Sequence, residues 1–224
     1  MNNKLEYKLS ASILAIYLDN NFISKCKDVI DYGVEWIHLD FMDGCFVDNN
    51  TFDCSFIQNI SKNLPNIFLD THLMSLNPEK YILDMKKSGV NLFNFHIETV
   101  DEPLKIIKLI KKYNMLVGIS LKPATSLDKI IELCESDNIY LINIMLVEPG
   151  KGGQKIIKDM LKKIKLLRKY FPNLNIQVDG GINHDNIIEI KESGANIFVV
   201  GSAIFNSNNI ENSILKFKSL LNNN

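Results

Sequence analysis

Eight short apolar runs, each followed by a stretch with helical periodicity, recur from one end of this chain to the other, and that alternation constrains its fold most strongly. The runs cover residues 8–14, 35–40, 66–72, 91–96, 116–120, 140–145, 175–178 and 196–200. The helical stretches cover 22–32, 54–63, 78–87, 102–113, 127–135, 155–170, 185–192 and 210–221, and a further short helix is expected directly after Val200-Gly201-Ser202. Pro78 and Pro103 fall at helix starts, where a missing N–H is harmless, while Gly33, Gly89 and Gly194 follow helix ends. Such a repeat yields a parallel sheet with right-handed crossovers. Eight units in 224 residues close more naturally into a barrel than into an open sheet, so the expected fold is α/β: a single (β/α)8 TIM barrel domain over residues 1–224 with its active site on the C-terminal face. Ala11-Ser12-Ile13-Leu14 lacks the G-x-G-x-x-G of a dinucleotide-binding sheet.

Composition narrows the function. The net charge is −1 and the lysines are scattered, with no basic cluster interleaved with aromatics, so nucleic acid is not an expected partner and a small ligand is. Of the 25 basic residues only Arg168 is arginine. Cys26, Cys45, Cys54 and Cys134 form no C-x-x-C pair, which points to free thiols in a reducing compartment. The first eight residues contain no apolar signal-like core, and no run is long enough to span a bilayer; no membrane partner and a cytoplasmic location are expected. Residues 222–224 read as a frayed terminus.

The chemistry lies where the apolar runs stop. Glu35-Trp-Ile-His-Leu-Asp40, Phe68-Leu-Asp-Thr-His72 and Asn175-Ile-Gln-Val-Asp179 each carry ionisable residues to a strand end, and burying them is costly unless they pair or hold a cation. His38 and Asp40, two apart on a strand, face the same side. With His72 and Asp179 they make a two-imidazole, two-carboxylate set for one divalent ion, zinc in first place, with iron, manganese or cobalt also accommodated. His96 also ends a strand but has no carboxylate two positions before it, and reads as a supporting or structural residue. His184 is expected to be exposed at a helix start, and Asp43, before Gly44, to accept local backbone N–H groups.

Glycine supplies a second signal. Glu148-Pro-Gly150-Lys-Gly152-Gly153-Gln, Asp179-Gly180-Gly181 and Val200-Gly201-Ser202 follow the last three runs, the arrangement of a phosphate cradle in a barrel, and imply a phosphorylated substrate. Met42, Met74 and Met145, at or just beyond the polar strand ends, are suited to a water-poor pocket wall.

The series Ser12-Ile-Leu14, His38-Leu-Asp-Phe-Met-Asp-Gly44, Asp70-Thr-His-Leu-Met74, Glu148-Pro-Gly-Lys-Gly-Gly-Gln154, Val178-Asp-Gly-Gly181 and Gly201-Ser-Ala203 resembles ribulose-phosphate 3-epimerases over nearly the whole chain. That resemblance implies interconversion of D-ribulose 5-phosphate and D-xylulose 5-phosphate by inversion at C3, with a metal on His38, Asp40, His72 and Asp179. Asp40 and Asp179 would serve as the paired acid and base about an enediolate. Ser12 and His38 or His72 would touch the sugar, and Gly150, Gly152, Gly153, Gly180, Gly181, Gly201 and Ser202 the phosphate end. A homodimer or higher homo-oligomer is also implied. The chain departs from the family pattern at Lys151, Cys45 and Asp48, which stand where an aromatic residue, a histidine and a proline are usual. Other readings are a 3-epimerase of a related ketose phosphate such as D-allulose 6-phosphate, and a non-catalytic sugar-phosphate-binding barrel. A barrel decarboxylase or lyase would need a strand-end lysine; Lys122 is the obvious one, and Pro123 beside it suggests a turn.

Overall fold

A computed structural model describes residues 5–136 and 139–222. Eight parallel strands pair in sequence order and close on themselves: β1 Lys8–Ser12, β2 Trp36–Met42, β3 Phe68–Met74, β4 Leu92–His96, β5 Leu116–Leu121, β6 Leu141–Met145, β7 Asn175–Asp179 and β8 Ile197–Val200. Helices α1 Phe22–Asp31, α2 Cys54–Asn63, α3 Ile82–Lys87, α4 Pro103–Lys112, α5 Asp128–Ser136, α6 Met160–Tyr170 and α7 Ile187–Glu192 join successive strands; α8 Ser202–Phe205 and α9 Ile210–Asn222 follow β8. The short helix expected after Val200-Gly201-Ser202 is α8.

Strand alternation sorts the chain into two interiors. Outward residues such as Ile37, Leu39, Phe93, Phe95, Ile142 and Phe198 join the inner faces of the helices in one large apolar shell. The residues between them face the barrel axis. At its N-terminal end Trp36, Leu92, Leu141 and Ile197, one from each even-numbered strand, form a separate apolar plug. Above that plug the axis is lined by polar residues instead: Ser10, His38, Asp70, Asn94, Asn143 and Gln177 are all fully buried. Ser120 Oγ donates to Asn94 Oδ1 at 2.9 Å and Asn143 Nδ2 donates to Ser120 Oγ at 3.1 Å, so part of their desolvation is offset across strands.

Three boundaries differ from those expected of the sequence. β1 stops at Ser12, because residues 13–15 turn into a 3-10 helix capped by the Ser12 hydroxyl, which accepts from Leu14 N at 3.4 Å. The stretch 78–87 divides into a 3-10 turn, Pro78–Tyr81, and α3. The helix expected from residue 155 begins at Met160, since the preceding segment is held against the barrel: Ile157 N donates to Leu146 O at 2.7 Å, and a side chain on Gly181 would come within 2.5 Å of Gln154 O. Residues 223 and 224 of the expected frayed end lie outside the described residues.

Candidate active site

The register of the sheet assembles the site. His38 and Asp40 lie on the inward face of β2, and β3 pairs His72 directly with Asp40. β7, three strands away through β1 and β8, ends on Asp179. His38 Nε2 stands 3.5 Å from Asp40 Oδ1 and 3.7 Å from Asp179 Oδ2; His72 Nδ1 stands 3.4 and 3.3 Å from the same two atoms. The four groups each offer a ligand atom within 4.8 Å of the others. A tetrahedral ion with bonds of about 2.0–2.1 Å separates its ligand atoms by about 3.3–3.4 Å, close to this spacing. His38 Nε2 and His72 Nδ1 are buried and make no hydrogen bond, an expensive arrangement that a cation between them would resolve. The residues therefore fit a divalent metal.

Their charges are interdependent. Burial opposes the cationic form of His38, yet the neighbouring Asp70 and Asp40 carboxylates hold its proton affinity well above the ordinary imidazole value. Burial likewise opposes ionisation of Asp40 and Asp179, but His38 and His72 keep both below the usual carboxylate range. Ser12 Oγ adds a hydrogen bond to Asp40 Oδ2 at 2.7 Å.

Each imidazole is backed by a further polar group. Asp70 Oδ2 lies 2.8 Å from His38 Nδ1 and also accepts from Ser10 Oγ at 3.3 Å and from Gln177 Nε2. His72 Nε2 lies 2.8 Å from His96 Nε2, and His96 Nδ1 lies 3.0 Å from Glu98 Oε2. Sequence patterns assign no role to Asp70 or Glu98. Asp70 stands inside one of the family-like motifs, and the position of Glu98, two residues after His96 rather than before it, is the only local signal for that pair.

Above the cluster opens a cavity of about 350 Å³. Ser12, Asp40, His72 and Asp179 form part of its floor, whereas His38 lies fully buried below. Met42, Met74 and Met145 line it as expected and are nearly inaccessible to solvent, which makes them a dry wall. The remaining rim comes from the loops after the last three strands: Gly150, Gly152 and Gly153, then Gly180 and Gly181, then Gly201 and Ser202. Gly153 adopts φ +73° with open space where a side chain would project, so its backbone is free to approach a ligand. Lys151 is exposed at this rim. Asn206, at the end of α8, also borders the cavity; nothing in its local sequence marks it.

The other singled-out residues divide into turn and packing roles. Asp43 Oδ1 accepts from Cys45 N at 3.0 Å, as expected of a turn aspartate, and its Oδ2 accepts from Tyr81 at 3.1 Å. Lys122 lies in a turn: Thr125 N donates to its carbonyl at 3.1 Å and its Nζ sits 3.9 Å from the Phe46 ring centre. His184 is not exposed as expected. It is half-buried against α9, with Nε2 3.0 Å from Ser213 O and its ring 3.9 Å from that of Phe217, because the barrel closes with the C-terminal helix covering this loop.

Fold and site together define a (β/α)8 barrel with a buried metal-competent centre and two carboxylates at its C-terminal mouth, the equipment of an acid–base enzyme acting on a small polar ligand. The model of the Ribulose-phosphate 3 epimerase family matches residues 8–205, and the chain belongs to that family. The ribulose-phosphate 3-epimerase, cytoplasmic isoform, of Oryza sativa subsp. japonica is 40% identical over 187 residues, covering 83% of this chain and 82% of the rice protein. The ribulose-phosphate 3-epimerase of Candida glabrata is 37% identical over 200 residues, covering 83% of this chain and 80% of the yeast protein. Among solved structures, KGPDC from Streptococcus mutans, in its complex with ribose 5-phosphate, superimposes with a TM-score of 0.76 over 97% of this chain and 98% of that one, at 14% identity, a likeness of fold alone.

Proposed function

We propose that this chain is a metal-dependent ribulose-phosphate 3-epimerase, interconverting D-ribulose 5-phosphate and D-xylulose 5-phosphate in the pentose phosphate pathway. The observation that carries the reading is the convergence of Asp40 and Asp179 on one centre from strands on different sides of the barrel. Inversion beside a ketone needs a proton taken from one face of C3 and another delivered to the opposite face. Asp40 and Asp179 are the pair positioned to do this, one ionised and one protonated at the start of each turnover, with the roles exchanged in the reverse direction. Ser12, donating to Asp40 Oδ2, holds that carboxylate in a fixed orientation. A carbon acid this weak also needs its developing enediolate stabilised, and a divalent ion on His38, Asp40, His72 and Asp179 would supply that as a Lewis acid.

The methionine wall keeps bulk water from a transferring proton, and the glycine loops after β6, β7 and β8, with Ser202, present backbone N–H groups to the phosphate. Zinc is the ion the donor set suits best, with iron, manganese and cobalt compatible. We place the enzyme in the cytoplasm, as a single domain over 1–224 that assembles into a homodimer or higher homo-oligomer. Among the described residues no helix is long and apolar enough to cross a membrane.

The test is exchange of the C3 hydrogen of both pentulose phosphates with deuterated solvent, before and after chelation. Exchange and epimerisation that stop together on chelation support the reading. Turnover that survives complete metal removal defeats the Lewis-acid role, and turnover retained by Asp40→Asn or Asp179→Asn defeats the proton relay.

A further inference from the structure

We infer that Glu98, acting through His96, is a positioning residue that sets which nitrogen of His72 faces the metal centre as a bare lone pair. The inference rests on the metal-dependent reading above and extends it to a residue outside the ligand set.

Three contacts in series carry it. His72 directs Nδ1 at the cluster, and that atom is buried without a hydrogen-bond partner. Its other nitrogen, Nε2, is 2.8 Å from His96 Nε2. Two ring nitrogens at that separation share one proton, so one donates and the other accepts. For His72 to offer Nδ1 unprotonated to a cation, Nε2 must carry the hydrogen and donate it, which leaves His96 Nε2 as the acceptor. His96, then neutral, must carry its own proton on Nδ1, and that atom is 3.0 Å from Glu98 Oε2. A carboxylate at that place accepts and cannot donate, so Glu98 selects one tautomer of His96, and His96 in turn selects one tautomer of His72.

The surroundings commit Glu98 to this task. Its second oxygen, Oε1, accepts from Lys122 N at 2.8 Å and from the Thr125 hydroxyl, which leaves Oε2 for His96. Partial burial works against its charge, yet the hydrogen bonds from His96 and Thr125 bring its pKa down to about 2. Burial pushes His96 the opposite way, to about 4, which keeps the ring neutral. Phe46 covers His96, with ring centres 4.6 Å apart. His96 is fully buried, whereas the Glu98 side chain keeps 22% of its exposure at the mouth of the barrel, so Glu98 can be altered without opening the core.

The test uses the full-length, zinc-loaded protein and two readouts other than turnover. In the wild type, long-range proton–nitrogen spectra of the histidine rings are expected to show His96 protonated at Nδ1 alone; a proton on its Nε2 overturns the inference whatever any variant does. Zinc affinity, measured by competition with a chelator, is expected to fall about 10–100-fold in Glu98→Ala. Glu98→Gln, which keeps a neutral acceptor, is expected to fall between the two. A merely structural role would lower thermal stability and leave zinc affinity and the His96 proton in place, and affinities within twofold of wild type in both variants overturn the inference. A wild-type chain that binds no zinc or other divalent ion defeats the metal reading itself. One that binds tightly with Glu98→Ala equally tight defeats only the role of Glu98.

Discussion

Ser12 Oγ donates a 2.7 Å hydrogen bond to Asp40 Oδ2, tying the end of β1 to the carboxylate that β2 delivers to the cluster. A hydrogen bond to a charged group is worth about 1.5–3 kcal/mol. Ser12→Ala is therefore expected to lower kcat roughly ten- to a hundredfold, with a smaller change in KM, while Asp40→Asn and Asp179→Asn lose about 10²–10⁴-fold. Steady-state kinetics in both directions check this. A Ser12→Ala enzyme with unchanged kcat would remove Ser12 from the orientation of Asp40.

Metal removal should destabilise the fold as well as silence it. Stripping the ion leaves four buried ionisable groups facing one another, and a ligand at a hundred times its dissociation constant contributes about 2.7 kcal/mol to stability. Thermal unfolding with and without chelator is expected to show a lower Tm for the stripped protein, restored by zinc. Equal values would mean that the cluster does not hold an ion in the folded state.

Acid should reveal Glu98. Its pKa falls from 4.5 to about 2 on folding, so its contribution is fully present above pH 4.5 and fades as pH drops toward 2. Allowing for its remaining exposure, that contribution is on the order of 2 kcal/mol. The stability gap between metal-free wild type and Glu98→Gln, from urea titrations, is expected to narrow over that window. A gap independent of pH would refute the linkage.

Arg168 is predicted to be irreplaceable by lysine for stability and irrelevant to catalysis. Its Nε donates to Gly194 O at 2.9 Å, one terminal nitrogen reaches the carbonyls of Phe171, Pro172 and Leu174 at 3.1, 3.0 and 2.6 Å, and the other reaches Asn196 Oδ1 at 3.2 Å. A planar guanidinium matches that set of acceptors and a single ammonium does not. Arg168→Lys is expected to cost about 2–3 kcal/mol, or roughly 4–12 °C in Tm, with kcat/KM unchanged. In a chain whose other basic residues are all lysine, this contact network gives a physical reason for the exception.

The amino-acid sequence by itself determined the element order, the closed eightfold repeat and the metal-competent quartet. Those depend on local rules: period-two alternation places His38 and Asp40 on one face, proline and glycine punctuate the helices, and strand ends in a barrel converge. Lys155 to Asp159 escaped those rules because their backbone is claimed by Leu146 and by the close approach of Gly181, partners distant in sequence. Only the tertiary structure decided that Asp70 backs His38, that Glu98 reaches His72 through His96, and that Asn206 borders the cavity. Each of these relations follows from strand register and from the closing of the sheet, which bring side chains on separate elements within a hydrogen bond, and none is encoded in the periodicity of any one segment.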